Sequence, residues 1–216
     1  EGNFGTTFKG SYGEIYKIRV KESADKGYKI YAIKIREAFK EDEINKLAKI
    51  STIESEHILK IIKYGNLVNG NTVNLTAKGA MGKGKDYIGI LITDWTPSLY
   101  ELFKKKNGAV YIYYCLNPEN ILLGICLGVK SIQSKNMVHC DIKPPNIGIN
   151  SDNNPCLIDI DDLVEVRSLN ISTGKNFGGT IWYSAPESQS AISKKKFSLK
   201  DKHAKSLIPS KIDVYS

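Results

Sequence analysis

The stretch Val138-His-Cys-Asp-Ile-Lys-Pro-Pro-Asn146 constrains this chain more than any other. Pro144 and Pro145 have no N–H to offer a ladder or a helix, so the segment must be a loop held in place by its flanks. Within it Asp141, Lys143 and Asn146 set an acid, a cation and an amide two and then three residues apart. The spacing suits phosphoryl transfer: Asp141 would accept the proton of an attacking hydroxyl, Lys143 would neutralise charge on the transferred phosphate, and Asn146 would hold a metal ion. The plain alternative is a polar surface turn, and the surrounding sequence has to decide between the two.

Before the loop, Asn117-Pro118-Glu119 is a helix start, and the helix it opens runs through Leu127 to about Ser134. A shorter helix begins in Pro97–Phe103. After the loop, Asn146–Asn150 and Cys156–Ile160 form two short strands around an Asp-Asn-Asn-Pro turn, a hairpin that carries Asn146 and Asp159 towards the same place. The N-terminal part has a different period. From Phe4 to Ile35 it is a β-meander, with Glu14–Val20 and Tyr28–Ile35 as β-branched and aromatic strands. Its first hairpin carries Gly10 and Gly13, which are turn residues if nothing binds there. Alternation along the third strand puts Ala32 and Lys34 on one face. A small residue beside a lysine suits an adenine roof and a phosphate clamp, and a strand-edge lysine is the plain alternative. Ile44, Leu47 and Ile50 form a helical stripe. Glu43, just before it, is the expected carboxylate partner of Lys34, with Glu41 as runner-up. Ser55–Gly65 leads into a fourth strand and Asp86–Trp95 supplies a fifth. Gly79, Gly82 and Gly84 lie in a polar connection without the strand-loop-helix context of a phosphate loop.

Composition removes several classes. With 216 residues and 41% hydrophobic content, the chain can bury a core in one domain or two small lobes. The four cysteines lack C-x-x-C spacing and scaffold density, which implies a reducing compartment, cytoplasmic or nuclear, and no zinc site. The apolar stretch Ile121–Val129 falls short of the ~20 residues a membrane span needs. The net charge of +8 is spread along the sequence and no nucleic-acid motif spacing occurs, so a solvated basic surface is expected and no nucleic-acid partner. Glu1 in place of Met suggests an N-terminus that lies further upstream.

In order along the chain, these segments resemble the motifs of eukaryotic-type protein kinases. Gly10-Ser-Tyr-Gly13-Glu-Ile15 is similar to the second half of the glycine-rich loop, with Phe8 where the first glycine would be. Tyr31-Ala-Ile-Lys34 resembles V-A-I-K. His139–Asn146 resembles H-R-D-[LI]-K-P-x-N with Cys140 in place of Arg, and Asp159-Ile-Asp161 stands where D-F-G is expected. Gly179-Thr-Ile-Trp-Tyr-Ser-Ala185-Pro186-Glu187 resembles G-T-x-x-Y-x-A-P-E, and Asp213-Val-Tyr-Ser216 resembles the D-V-W-S opening of the central large-lobe helix. Thr93 falls at the gatekeeper, with Asp94 and Trp95 in the hinge.

The resemblance implies an α+β, two-lobed protein kinase-like fold over residues 1–216. A small β-rich N-lobe would span 1–94 and an incomplete, mainly helical C-lobe 95–216, with the remaining helices missing. It implies ATP and Mg²⁺ as cofactors and transfer of the γ-phosphoryl group to a Ser or Thr of a protein substrate. Asp141 and Lys143 would be catalytic, and Asn146 and Asp159 would bind metal. Gly10, Gly13, Ile15, Ala32, Lys34, Glu43, Asp94 and Trp95 would bind ATP. The alternatives are a pseudokinase acting as a nucleotide-binding or interaction module, favoured by Phe8, Cys140 and Asp161, and a small-molecule phosphotransferase of related fold. A glycine at 161 would have backbone freedom that Asp161 lacks.

Overall fold

β-Branched residues recur along the N-terminal strands, and the computed structural model pairs them into one antiparallel sheet. It describes residues 5–10, 13–23, 27–37, 43–67, 87–93, 97–108, 112, 117–150, 152–169, 179–184, 189 and 213. The chain divides into two compact units, residues 1–52 with 60–95 and residues 53–59 with 96–216.

In the first unit β1 (Gly5–Gly10), β2 (Gly13–Ser23), β3 (Gly27–Glu37), β4 (Ile61–Leu67) and β5 (Tyr87–Thr93) lie in the order β1-β2-β3-β5-β4. Gly10 pairs with Gly13 at the tip of the first hairpin, and Phe8 pairs with Ile15. Lys34 stands opposite Ile15 on one side and Ile90 on the other. Ala32 and Lys34 are both buried, sharing a face as the alternation requires. Helix α1 (Glu43–Ser51) buries Leu47 and Ile50 and packs on β4, so the expected stripe is its core face.

In the second unit, α2 (Leu99–Lys104) starts with a capping box: Glu101 N–H donates to Ser98 Oγ at 3.2 Å, and Ser98 N–H donates to Glu101 Oε2 at 2.9 Å. Helix α3 (Pro118–Gln133) is capped by Asn117, whose Oδ1 accepts from Glu119 N–H at 3.0 Å. It leads through a turn into β6 (Met137–Val138), which pairs with β9 (Val164–Glu165) and frames the double-proline loop. β7 (Ile147–Ile149) and β8 (Pro155–Leu157) form the expected hairpin. Ile149 N–H donates to Pro97 O at 3.1 Å, which ties β7 to the start of α2.

Residues 53–59, in sequence between α1 and β4, belong to this second unit. Leu59 N–H donates to Leu157 O and Leu157 N–H donates to His57 O, each at 2.9 Å, so the segment adds a short parallel bridge to β8. His57 Nδ1 lies 3.0 Å from Pro155 O, which accepts its proton. Two glycines one helical turn apart on α3 make room for the segment. A Cβ on Gly124 would lie 2.3 Å from Pro155 Cγ, and one on Gly128 would lie 2.7 Å from His57 O. Gly128→Ala should therefore destabilise the protein. The gain in helix propensity, about 1 kcal/mol, is smaller than the overpacking cost against backbone, about 1–3 kcal/mol. Thermal denaturation checks this against Gly65→Ala, where an added Cβ meets nothing within 4 Å; equal melting temperatures for the two variants would contradict it.

Candidate active site

Two buried backbone N–H groups at the start of the double-proline loop meet one buried carboxylate. Asp213 Oδ2 accepts from His139 N–H at 2.8 Å, and Asp213 Oδ1 accepts from Cys140 N–H at 2.7 Å. Burial raises the carboxyl pKa of Asp213, and the two N–H donors and the nearby His139 act in the opposite direction. The clamp holds Cys140 in a left-handed backbone conformation, φ 63°, which costs an L-residue about 1–2 kcal/mol. Because of it the chain turns sharply just before Asp141.

His139 completes the anchoring. Its ring Nε2 lies 3.0 Å from Ile158 O, and since a carbonyl only accepts, Nε2 carries the proton. Its Nδ1 is buried and has no donor among the described residues. Ile158 N–H in turn donates to Asn146 O at 3.0 Å, which joins the loop to the strand that leads into Asp159.

Asp141, Lys143 and Asn146 form one hydrogen-bonded group. Lys143 Nζ donates to Asp141 Oδ2 at 2.7 Å and to Thr180 Oγ1 at 2.7 Å. Asn146 Nδ2 donates to Asp141 O at 2.9 Å and to Asp141 Oδ2 at 3.1 Å. Both side-chain bonds converge on one carboxylate oxygen. The other, Asp141 Oδ1, is buried with no donor among the described residues. Such an oxygen costs about 1–3 kcal/mol until a donor reaches it. Pro144–Asn146 forms a 3₁₀ turn in which Asn146 N–H donates to Lys143 O at 2.8 Å, so the prolines shape the loop without interrupting the group.

The donors for a hard divalent cation are of the right kind. Asn146 commits its amide nitrogen to Asp141, which leaves its amide oxygen as a neutral ligand. Asp159, Asp161 and Asp162 bring carboxylate oxygens within 4.8 Å of one another. An all-oxygen set of this type fits Mg²⁺. Asp159 takes the left-handed conformation, φ 62° and ψ 33°, while residues 160–162 form a 3₁₀ turn. The backbone demand therefore falls on Asp159, and Asp161 does not need the freedom a glycine would supply. Asp161 is also buried, at 1% exposure, where a plain Asp-rich strand end would be an exposed turn.

Cys140, in place of the expected arginine, points into an apolar cluster with Val138, Val164, Val166 and Leu169. Burial, and then the Asp213 and Asp141 carboxylates, push its thiol pKa well above the ordinary range, so it stays a neutral thiol. Cys156, also buried, is pushed up to about 12.

Gly10, Gly13, Ile15, Ala32 and Lys34 lie together on β1 to β3 of the first unit, and the loop residues lie in the second. Glu43 is the first residue of α1, but its side chain lies outside the described residues, as do Glu41, Asp94, Trp95 and Ala185–Glu187. Sequence reasoning gave Asp213 no task. The only local signal is the Asp-Val-Tyr-Ser string, and its partners are more than 70 residues away.

The protein kinase domain family model matches residues 8–201, and the chain belongs to this family. It is 30% identical over 188 residues to cyclin-dependent kinase-like 2 of Rattus norvegicus, covering 86% of this chain and 33% of that protein. The Homo sapiens protein of the same name is 29% identical over 188 residues, covering 86% and 34%. A probable protein kinase of Dictyostelium discoideum is 43% identical over 51 residues, covering 24% of this chain and 7% of that protein. The chain thus spans about a third of the length of its cyclin-dependent kinase-like 2 relatives.

Asp213→Asn tests the anchor. An amide offers one acceptor oxygen and must turn its NH₂ towards the second N–H donor, so one charge-assisted bond is lost and one donor is left bare. The expected loss is about 1.5–3 kcal/mol, read by chemical denaturation. A variant as stable as wild type would show that the clamp contributes nothing.

Proposed function

We propose that this chain is the catalytic domain of an ATP-dependent protein serine/threonine kinase, transferring the γ-phosphoryl group to a protein hydroxyl. The observation that carries the proposal is the Asp141 carboxylate, with Oδ2 held by Lys143 and Asn146 and Oδ1 buried without a donor among the described residues. An acceptor hydroxyl docking beside Oδ1 would satisfy that oxygen and hand it the proton. Lys143, which bonds to Asp141 and Thr180, would neutralise charge developing on the transferred group. Lys143 and Thr180 resemble the residues that serine/threonine kinases carry at these places, and that resemblance supports Ser or Thr as acceptor.

Asn146 and Asp159 would hold Mg²⁺, which when bound neutralises phosphate charge. Lys34, buried on β3 beside Ala32, would clamp the α and β phosphates under an adenine site roofed by Ala32 and Ile15, with Glu43 orienting it. Gly10 and Gly13 would let backbone N–H groups approach the phosphates, and Asp94 and Trp95 would hold the adenine. In this reading the first unit is the N-lobe and the second the C-lobe. Among the described residues no helix is long and apolar enough to cross a membrane. Cys126, Cys140 and Cys156 are free thiols, which supports a reducing compartment, cytoplasmic or nuclear. The pseudokinase alternative draws on Phe8 and Cys140.

One measurement separates these readings, and a second tests how the activity is regulated. Asp141→Asn should lower turnover by about 10²–10⁴-fold and leave ATP affinity within about threefold, because the base acts on the acceptor. Asp159→Asn should weaken Mg²⁺-dependent ATP binding as well. Radiolabel transfer and calorimetric titration check both, and a wild type no faster than either variant would favour the pseudokinase. The second measurement concerns Cys140. A buried neutral thiol cannot pair with a phosphate on the activation segment, so Ala at Ser168, Ser172 and Thr173 together should change the rate by less than about threefold, well under ~1.4 kcal/mol. Assays before and after phosphatase treatment check this, and a large loss would mean that another cation has taken the place of the arginine.

A further inference from the structure

Gly179 has φ +117°, a conformation that L-residues rarely adopt. A Cβ built on it would lie 2.3 Å from Cys140 O, 3.4 Å from Cys140 C and 3.4 Å from Ser184 Oγ. The Cys140 carbonyl belongs to the peptide unit that leads into Asp141, and the N–H of Cys140 is bonded to Asp213. The carbonyl therefore sits between a buried carboxylate anchor on one side and a bare glycine on the other. The next residue, Thr180, is bonded to Lys143. The turn that follows is closed on itself: Ser184 Oγ donates to Thr180 O at 3.0 Å, and Tyr183 N–H donates to Thr180 O at 2.9 Å. Thr180 is thus bonded to Lys143, and Gly179 before it lies close against the Cys140 carbonyl.

We propose that Gly179 is a positioning residue, whose missing side chain lets segment 179–184 seat on the Cys140 carbonyl and so sets the peptide plane from which Asp141 projects. The proposal builds on the reading of Asp141 as the base, but its structural core is independent of turnover. A side chain at 179 must push on backbone, since the atom it meets is a carbonyl oxygen and not the end of a flexible side chain. The push is transmitted along the 140–141 peptide towards Asp141 and back along residue 140 to the N–H held by Asp213.

The test is residue-resolved amide hydrogen exchange on the full chain, comparing wild type, Gly179→Ala and the control Gly65→Ala. In Gly179→Ala the Cys140 amide should exchange at least about tenfold faster. The Leu59 and Leu157 amides, bonded elsewhere in the same unit, should keep their rates. Gly65→Ala should leave all three unchanged. If Gly179→Ala fails to fold, Ser184→Ala serves instead: it removes the Oγ bond that closes the turn and should speed Cys140 exchange several-fold. Cys140 protection equal to wild type in whichever variant folds overturns the proposal.

Steady-state transfer to a degenerate serine peptide library adds a second readout. Gly179→Ala should lower kcat by about 10–100-fold while KM for ATP stays within about twofold. A wild type without any transfer would count against the kinase reading alone, and the exchange result would then decide the role of Gly179. Active wild type with an equally active Gly179→Ala variant would count against Gly179.

Discussion

The candidate site depends on one buried carboxylate. Asp213 is 4% exposed and accepts two consecutive backbone N–H groups, those of His139 and Cys140. A buried carboxyl group is tolerable only when its oxygens are hydrogen-bonded, and here both are engaged by groups that would otherwise be bare donors. The pair of bonds holds Cys140 at positive φ, and that reversal directs Asp141 into the group it forms with Lys143 and Asn146. Without the carboxylate, two buried N–H donors would be bare and the conformation that sterics disfavour would lose its main restraint at Cys140.

From that anchor the remaining contacts are few and directional. His139 reaches Ile158, Ile158 reaches Asn146, and Asn146 reaches Asp141, so the loop and the β7–β8 hairpin brace each other. Lys143 links the loop to Thr180. Two of the left-handed residues, Cys140 before Asp141 and Asp159 at the start of the acidic cluster, lie where the chain turns at the edges of the group. Local strain is stored there because the surrounding bonds over-determine it.

Much of this was legible in the sequence, because it is encoded locally. Alternating β-branched residues gave β2 and β3, the Asn117-Pro118 cap gave α3, and the double proline gave the loop. The spacing of Asp141, Lys143 and Asn146 suggested a group, but it took the surrounding segments to set that reading above a polar surface turn. What was hidden comes from distant partners. Nothing in the string around Asp213 says that its carboxylate will meet residues 139 and 140. Nothing in residues 53–59 says that they join β8, since the room for them is made by Gly124 and Gly128 on a helix far along the chain. The backbone demand near Asp161 was hidden for a related reason: a motif fixes which residue stands where, while positive φ is assigned by packing, and here it falls at Asp159.

Where the phosphate goes decides the central claim most directly. The chain should be incubated with γ-labelled ATP, Mg²⁺ and a mixed protein acceptor, and the labelled protein hydrolysed to its phosphoamino acids. The account predicts label on phosphoserine or phosphothreonine, and at least about a hundredfold less of it when Asp141 is replaced by Asn. Label confined to phosphotyrosine or free phosphate, or the same protein labelling with and without the Asp141 carboxylate, would contradict it.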